Sequence, residues 1–316
     1  MSARTAVRRG GGMLAVASMC ALLTGSTLAS TLDGPAASRP VASETAFSSA
    51  GWRSVASGKP ARALATTKVA RGVAYGGRTS ANDPIAIKLS RDGRSVRRIS
   101  TRFDATCTDS PGFVMFVDGS LNRKINAKGR FSGMLSGTDD LGSGVTARKT
   151  ASMKGTVRGK RITGSFRFHV DKVDAAGAVV GTCDQTATFE AISARGRMFG
   201  GHTSQGGPVV VKLASKRNTV RKFHIGWEAS CAPSGAFQTS ETLIDFPLTG
   251  GSFGDDWTYN TPGLPPGESE TATYSLSGKI KRARVTGTLR VKTTSTDATG
   301  TIPCDTDTIS FTASSG

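Results

Sequence analysis

Between Ser95 and Cys107 the chain reads SVRRISTRFDATC, with Ile99, Thr101, Phe103, Ala105 and Cys107 on alternate positions and Arg98, Ser100, Arg102 and Asp104 between them. Such alternation predicts a strand with one face in a core and one face wet. The same phase returns in Phe223, Ile225, Trp227, Ala229 and Cys231, with larger inward side chains. Upstream, PIAIKLS alternates through Ile85, Ile87 and Leu89; downstream, GTVRGKRITGSFRF alternates through Ile162, Phe166 and Phe168. Gly159-Lys160 falls where a two-residue hairpin turn belongs. In CDQTATFEA the residues Cys183, Ala187 and Phe189 point inward, whereas in CDTDTISFTA Cys304 and Phe311 are out of step by one residue. A bulge between them is predicted, since a slip of one would otherwise turn the apolar face to water. Apolar stripes at helical spacing are missing.

These segments occur twice. Tyr75, Gly76, Gly77, Thr79, Ser80, Pro84, Lys88, Leu89, Val96 and Cys107 recur at a constant offset as Phe199, Gly200, Gly201, Thr203, Ser204, Pro208, Lys212, Leu213, Val220 and Cys231. The offset shortens slightly toward Cys183 and Cys304, which places the length changes in loops. YGGRTS and its copy FGGHTS resemble phosphate-cradling loops, but no P-loop lysine and no helix follow. They are read as the turn that opens each unit, with Gly-Gly supplying φ freedom. A unit that duplicates must already fold alone, so the expected bridges are Cys107 with Cys183 and Cys231 with Cys304. Seven or eight short strands per unit, with a disulfide from an early strand to the last, favour a sandwich over a barrel. The expected fold class is all-β, two tandem antiparallel β-sandwiches over residues 73–192 and 197–316. The short SARGRM connection restricts their relative orientation.

The N-terminal residues read as an export signal over 1–30: Arg4, Arg8 and Arg9, an apolar run from Met13 to Leu23, then small residues around Ala29. The run is too short to span a membrane permanently, so the mature chain is expected to have no transmembrane segment. RRGGGM lacks the flanks of a twin-arginine signal, and Met19 before Cys20 argues against lipid attachment. Cleavage removes Cys20 and leaves an even four cysteines outside the reducing cytoplasm. Residues 31–72, rich in Ala, Ser, Pro and Arg, read as a disordered spacer.

Catalytic chemistry finds little support. His169, His202 and His224 stand near no nucleophile motif or metal-ligand partner and read as isolated surface or loop histidines. The cysteines are committed to bridges. The acidic pairs Asp139-Asp140 and Asp255-Asp256 are read as lying in Gly-rich loops and could hint at calcium, but they fit no calcium motif and do not align between the units. No enzyme activity, cofactor or metal is therefore expected. Charge is the remaining signal: 41 Lys and Arg against 23 Asp and Glu give +18, most of it outside the leader. Basic positions shared by the units include Lys88/Lys212, Arg98/Lys222, Arg158/Lys281, Arg161/Arg284 and Arg167/Arg290. They mark a candidate surface for anionic polymers: wall teichoic-type chains, acidic polysaccharide or lipid headgroups. Export, a 6% aromatic content and the lack of a stacking platform argue against nucleic acid. A second candidate contact is the long insertion GDDWTYNTPGLPPGESET, whose Trp257 and Tyr259, where exposed, are available to a protein partner; the favoured reading is a decorated surface turn with a partly buried aromatic.

The run YGGRTS, PIAIKLS, the cysteine-ended strand, GKRITGSFR and the closing CDQTATFEA resembles an uncharacterised domain of exported proteins from high-GC Gram-positive bacteria. The resemblance spans both units and implies a disulfide-bridged sandwich, with no catalytic residue or ligand to carry over. The functional expectation is a secreted, non-catalytic binding or structural module of the cell envelope. Its alternatives are an adhesin or inhibitor using the aromatic insertion, and a hydrolase built from scattered carboxylates.

Overall fold

A computed structural model describes residues 53–54, 74–110, 112–141, 144–232 and 235–315. Among them the protein is all strand and turn, with no helix. A two-residue strand, β1 (Arg53–Ser54), precedes β2 (Ala74–Thr79), β3 (Pro84–Leu89), β4 (Ser95–Cys107), β5 (Phe113–Lys124), β6 (Arg130–Asp140), β7 (Thr146–Arg158), β8 (Arg161–Val173) and β9 (Val179–Ile192). The second half repeats the order with β10 (Met198–Thr203), β11 (Pro208–Leu213), β12 (Thr219–Cys231), β13 (Ala236–Pro247), β14 (Ser252–Asn260), β15 (Ser269–Lys281) and β16 (Arg284–Asp297). It closes with β17 (Gly300–Asp305) and β18 (Ile309–Ser314).

The first sheet has the order β1-β6-β7-β8-β9-β2-β3-β4-β5; the second runs β13-β12-β11-β10-β18-β16-β15-β14, with β17 beside β12 and β16. Every pairing is antiparallel. Each sheet folds over its own core. In the first, Phe103 of β4 stacks on Phe168 of β8 with centroids 4.8 Å apart and meets Phe166 edge-on at 4.9 Å. In the second, Phe223 of β12 lies 5.1 Å from Phe311 of β18 and 5.9 Å from Phe253 of β14. These rings come from the inward positions of the alternating pattern, so sequence period and packing agree.

Disulfides join Cys107 to Cys183 and Cys231 to Cys304, across sequence separations of 76 and 73 residues. Each ties the end of a long strand to the closing strand, where β4 meets β9 and β12 meets β17. On the chain-entropy model each loop contributes about 4 kcal/mol. The two bridges also assign folding to an oxidising compartment.

The phase slip at Cys304 is larger than a bulge. The closing strand breaks into β17 and β18, and Asp307 takes the left-handed region at φ 53°. Thr306 Oγ1 accepts from Val291 N at 2.9 Å, a bond that occupies the break. The predicted hairpin at Gly159-Lys160 is present, with Arg158 opposite Arg161 and Gly159 at φ 56°. One correction falls in the stretch read as a spacer. Arg53–Ser54 pairs with Ser136 and Leu135 of β6, because the edge between β5 and β6 leaves backbone groups that an extended segment satisfies. The remainder of 31–72, and the proposed leader 1–30, lie outside the described residues.

Candidate basic groove between the two sheets

The strings YGGRTS and FGGHTS are not turns. They form most of strands β2 and β10, and none of their glycines has positive φ. What they need is absence of a side chain. A Cβ on Gly77 would stand 1.8 Å from the carbonyl oxygen of Glu190 in its own closing strand, and one on Gly201 would stand 1.9 Å from Thr312 O. The preceding glycine of each pair faces the other sheet. A Cβ on Gly76 would stand 2.7 Å from Val210 Cγ1, and one on Gly200 would stand 2.8 Å from Tyr75 O. The two strings thus pack against each other, with Ala86, Met198 and Val210 as a small apolar cluster at the seam.

The seam is reciprocal. Arg78 reaches His224, while His202, the counterpart of Arg78, shares a cavity lining with Ser100, the counterpart of His224. Phe116 covers Gly226, and at the mirrored place Ser240 meets the Asp83 that pairs with Arg102. Contacts in which residue i of one unit touches j of the other, and j touches i, are the signature of an isologous two-fold interface. Ser100 shows the cost to pattern reading. It lies on the outward face of β4 but is buried, and its hydroxyl donates to Gly206 O at 3.1 Å.

Two-fold packing creates two equivalent grooves beside the glycines, and their contents differ. One is a cavity of about 400 Å³ lined by Lys88, Arg98, Ser100, His202 and Arg284 together with backbone of β10 and β18. Lys88 and Arg284 have no carboxylate partner among the described residues; Arg284 Nε donates to Thr312 Oγ1 at 3.2 Å. Arg98 is tied to Asp118, which holds its guanidinium firmly charged. The other groove is filled. Arg78 Nη2 lies 3.0 Å from His224 Nδ1 and donates to Thr242 Oγ1 at 2.8 Å, and its Nη1 donates to Asn82. Burial, reinforced by the charges of Arg78, Lys222 and Lys212, pushes the His224 imidazole down to about 3, so it is neutral at ordinary pH.

The shared basic positions therefore do not form one continuous face. Lys281 stands opposite Arg284 at the hairpin end beside the open groove, and Arg158 stands opposite Arg161 at the corresponding hairpin. Lys222 borders the filled groove. Arg161 is neutralised by Glu190 at 2.6 Å. Arg167 and Arg290 lie toward the disulfide ends and pair with Asp184 at 3.0 Å and Asp305 at 2.6 Å. Strand alternation put these arginines outward correctly; it carried no information about the acids opposite them.

Several other expectations are corrected. Trp257 and Tyr259 lie on β14, not in a loop, and are half-buried against the core. Trp257 stacks on Tyr274 with centroids 4.7 Å apart and planes 3° from parallel. Asp255 and Asp256 are strand residues, and Asp139, at the end of β6, makes a buried ion pair with Lys149. The histidines are not isolated: His169 lies between Asp171 at 3.0 Å and Asp184 at 3.1 Å, and His224 is buried at the seam. The described residues include no helix long and apolar enough to cross a membrane. Among them the only set of three potential metal-ligating side chains in reach is Cys107, Asp109 and Cys183, and both of its sulfurs are in the disulfide. The chain matches no protein-family model, no curated protein and no solved structure.

Proposed function

We propose that the protein is an exported, non-catalytic module of the cell envelope that holds a segment of an anionic polymer in the open groove between its sandwiches. The observation that carries this reading is the cavity of about 400 Å³ in which Lys88 and Arg284, without carboxylate partners among the described residues, converge with Arg98 and His202. The size suits one or two sugar or phosphate units, within the range of small-ligand sites. The walls are outer faces of β3, β4, β10, β16 and β18, each paired on both sides, so the site is a rigid concave surface. Paired surface arginines contribute solubility and long-range attraction, whereas cations without partners in a concave site give local affinity.

The test is retention of the full chain on immobilised polyglycerol phosphate and on polygalacturonate across a salt gradient. Binding is expected to weaken with salt, as screening of an electrostatic contact requires. Lys88→Ser with Arg284→Ser is expected to lower affinity at least tenfold. Ser100→His, which copies the filled groove into the open one, is expected to do the same without altering charge at neutral pH. Arg167→Ser with Arg290→Ser should change little. No salt-sensitive retention, or equal losses from both double variants, would overturn the proposal.

A further inference from the structure

The interior of the second sandwich contains a polar cluster that the groove does not use. Glu241 faces Ile225 across the β12–β13 ladder, the place that Val117 takes opposite Thr101 in the first sheet. Its carboxyl therefore points into the core side of the sandwich. Oε1 accepts from Tyr274 Oη at 2.7 Å, while Oε2 is buried and accepts nothing. Trp227, fully buried, directs its Nε1 at the same carboxyl and favours its charged form. Glu270 is also buried, and its Oε2 accepts from Thr261 Oγ1 at 2.9 Å. The stacked Trp257 and Tyr274 form the adjoining wall, and half-buried Tyr259 and Glu241 leave it reachable from solvent.

The first sandwich shows what such a place accepts. There Lys149 stands opposite Gly137, and its ammonium, 2% exposed, is bonded to Asp139. In the second sheet the same ladder position is Ala272, opposite Tyr259, so the lysine is gone while two carboxyls, Glu270 buried and Glu241 half-buried, have been gained. Buried carboxyls without a cation are costly, and a carboxylate keeps acceptor lone pairs that an ammonium can use. Aromatic faces next to carboxylates match an alkylammonium, whose stem packs on the rings while its head meets the charge.

We infer that this mouth of the second sandwich is a binding site for a lysine side chain presented by a partner polypeptide. The lysine takes the role that Lys149 plays inside the first sandwich. Glu241 and Glu270 receive the ammonium, and Trp257 with Tyr274 lines the stem. This site is separate from the basic groove and does not depend on it.

The test is tryptophan fluorescence of the full chain titrated with Nα-acetyl-lysine methylamide, with n-butylammonium as the minimal probe and the norleucine amide as the uncharged control. Saturable quenching by the two amines but not by the control is expected. Glu241→Gln, nearly the same shape, should weaken the amines at least tenfold. Ala272→Lys, which restores the internal lysine, should abolish binding and raise the melting temperature. Near-UV circular dichroism establishes that each variant is folded, and Lys88→Ser should bind the amines as the parent chain does. A parent chain with no saturable response, a norleucine response equal to that of lysine, or unchanged affinity in folded Glu241→Gln would overturn the inference.

Discussion

The groove at Lys88 and the groove at Lys212 are built from the same strands in the same register, yet one holds a cavity and the other is filled. Several exchanges separate them, among them Ser100 against His224, His202 against Arg78, Asp118 against Thr242, and Thr312 beside Arg284 where Glu190 pairs with Arg161. An isologous seam begins with two equal concavities. Here one has become adhesive, joining the units through Arg78, His224 and Thr242, while the other retains space and, among the described residues, two cations without a carboxylate partner. The interiors diverge in the same manner. Lys149 and Asp139 compensate each other in the first sandwich, whereas Glu241 and Glu270 in the second lack an internal cation. The two units thus share a scaffold and are chemically unequal.

The largest effect that would break this comparison comes from the glycines. Gly77→Ala puts a methyl group into the backbone of the neighbouring closing strand. Nothing there is a movable side-chain end, so the cost should exceed the roughly 1–3 kcal/mol of ordinary overpacking. Loss of the folded first sandwich is expected in thermal melts. Gly200→Ala, which meets the other unit at 2.8 Å, should instead loosen the seam and leave both cores melting cooperatively. Solution scattering would show the extension. If Gly200→Ala unfolded a sandwich and Gly77→Ala did not, the assignment of the two glycines would be wrong.

A smaller effect separates the grooves by pH. His224 has its imidazole lowered from 6.5 to about 3, so the folded state resists protonation more than the unfolded state does. Its contribution is fully present above pH 6.5 and is lost as pH falls toward 3, by up to about 5 kcal/mol. Urea midpoints should fall on acidification in the parent chain and fall much less in His224→Ser, which also gives the second groove the serine of the first. Equal acid sensitivity in both would show that the filled groove contributes nothing to cohesion.

The smallest effect has the opposite sign. Burial raises the Glu241 carboxyl from 4.5 to about 7, against the hydrogen bond from Tyr274. A raised carboxylate stabilises below its unfolded value, and that contribution disappears as pH rises through about 7, roughly 3 kcal/mol in all. Glu241→Gln should flatten this alkaline limb and leave the acid limb untouched. A parent chain whose stability is level between pH 5 and 8 in high salt would contradict it.

Much of the architecture was legible because period two is a local property. Phe103, Phe166, Phe168 and their counterparts announced the inner faces, and duplication alone chose among three disulfide pairings. What lay beyond reach was which outer faces are wet. Ala86 and Ser100 sit opposite the core side chains, and alternation cannot say that a second sheet covers them. Pattern also misjudged Gly76 and Gly77, whose requirement is close approach, not φ. The Glu241 site was hidden because a charged residue is read as outward wherever the local pattern does not mark it as buried. Counting at the offset of the cysteine-ended strands aligns Glu241 with Val117, and the ladder places it there. Trp257 looked exposed because its neighbours are Asp and Gly, although a strand buries every second residue whatever flanks it.

The reciprocal seam has a consequence for concentration. Two separate copies joined by this interface would come apart when diluted into a large volume. Here residues 193–197 tether one half to the other, so the local concentration of partner stays near the millimolar level typical of short linkers however dilute the medium. A pseudo-dimer written into one chain keeps its groove assembled at the level of a single molecule.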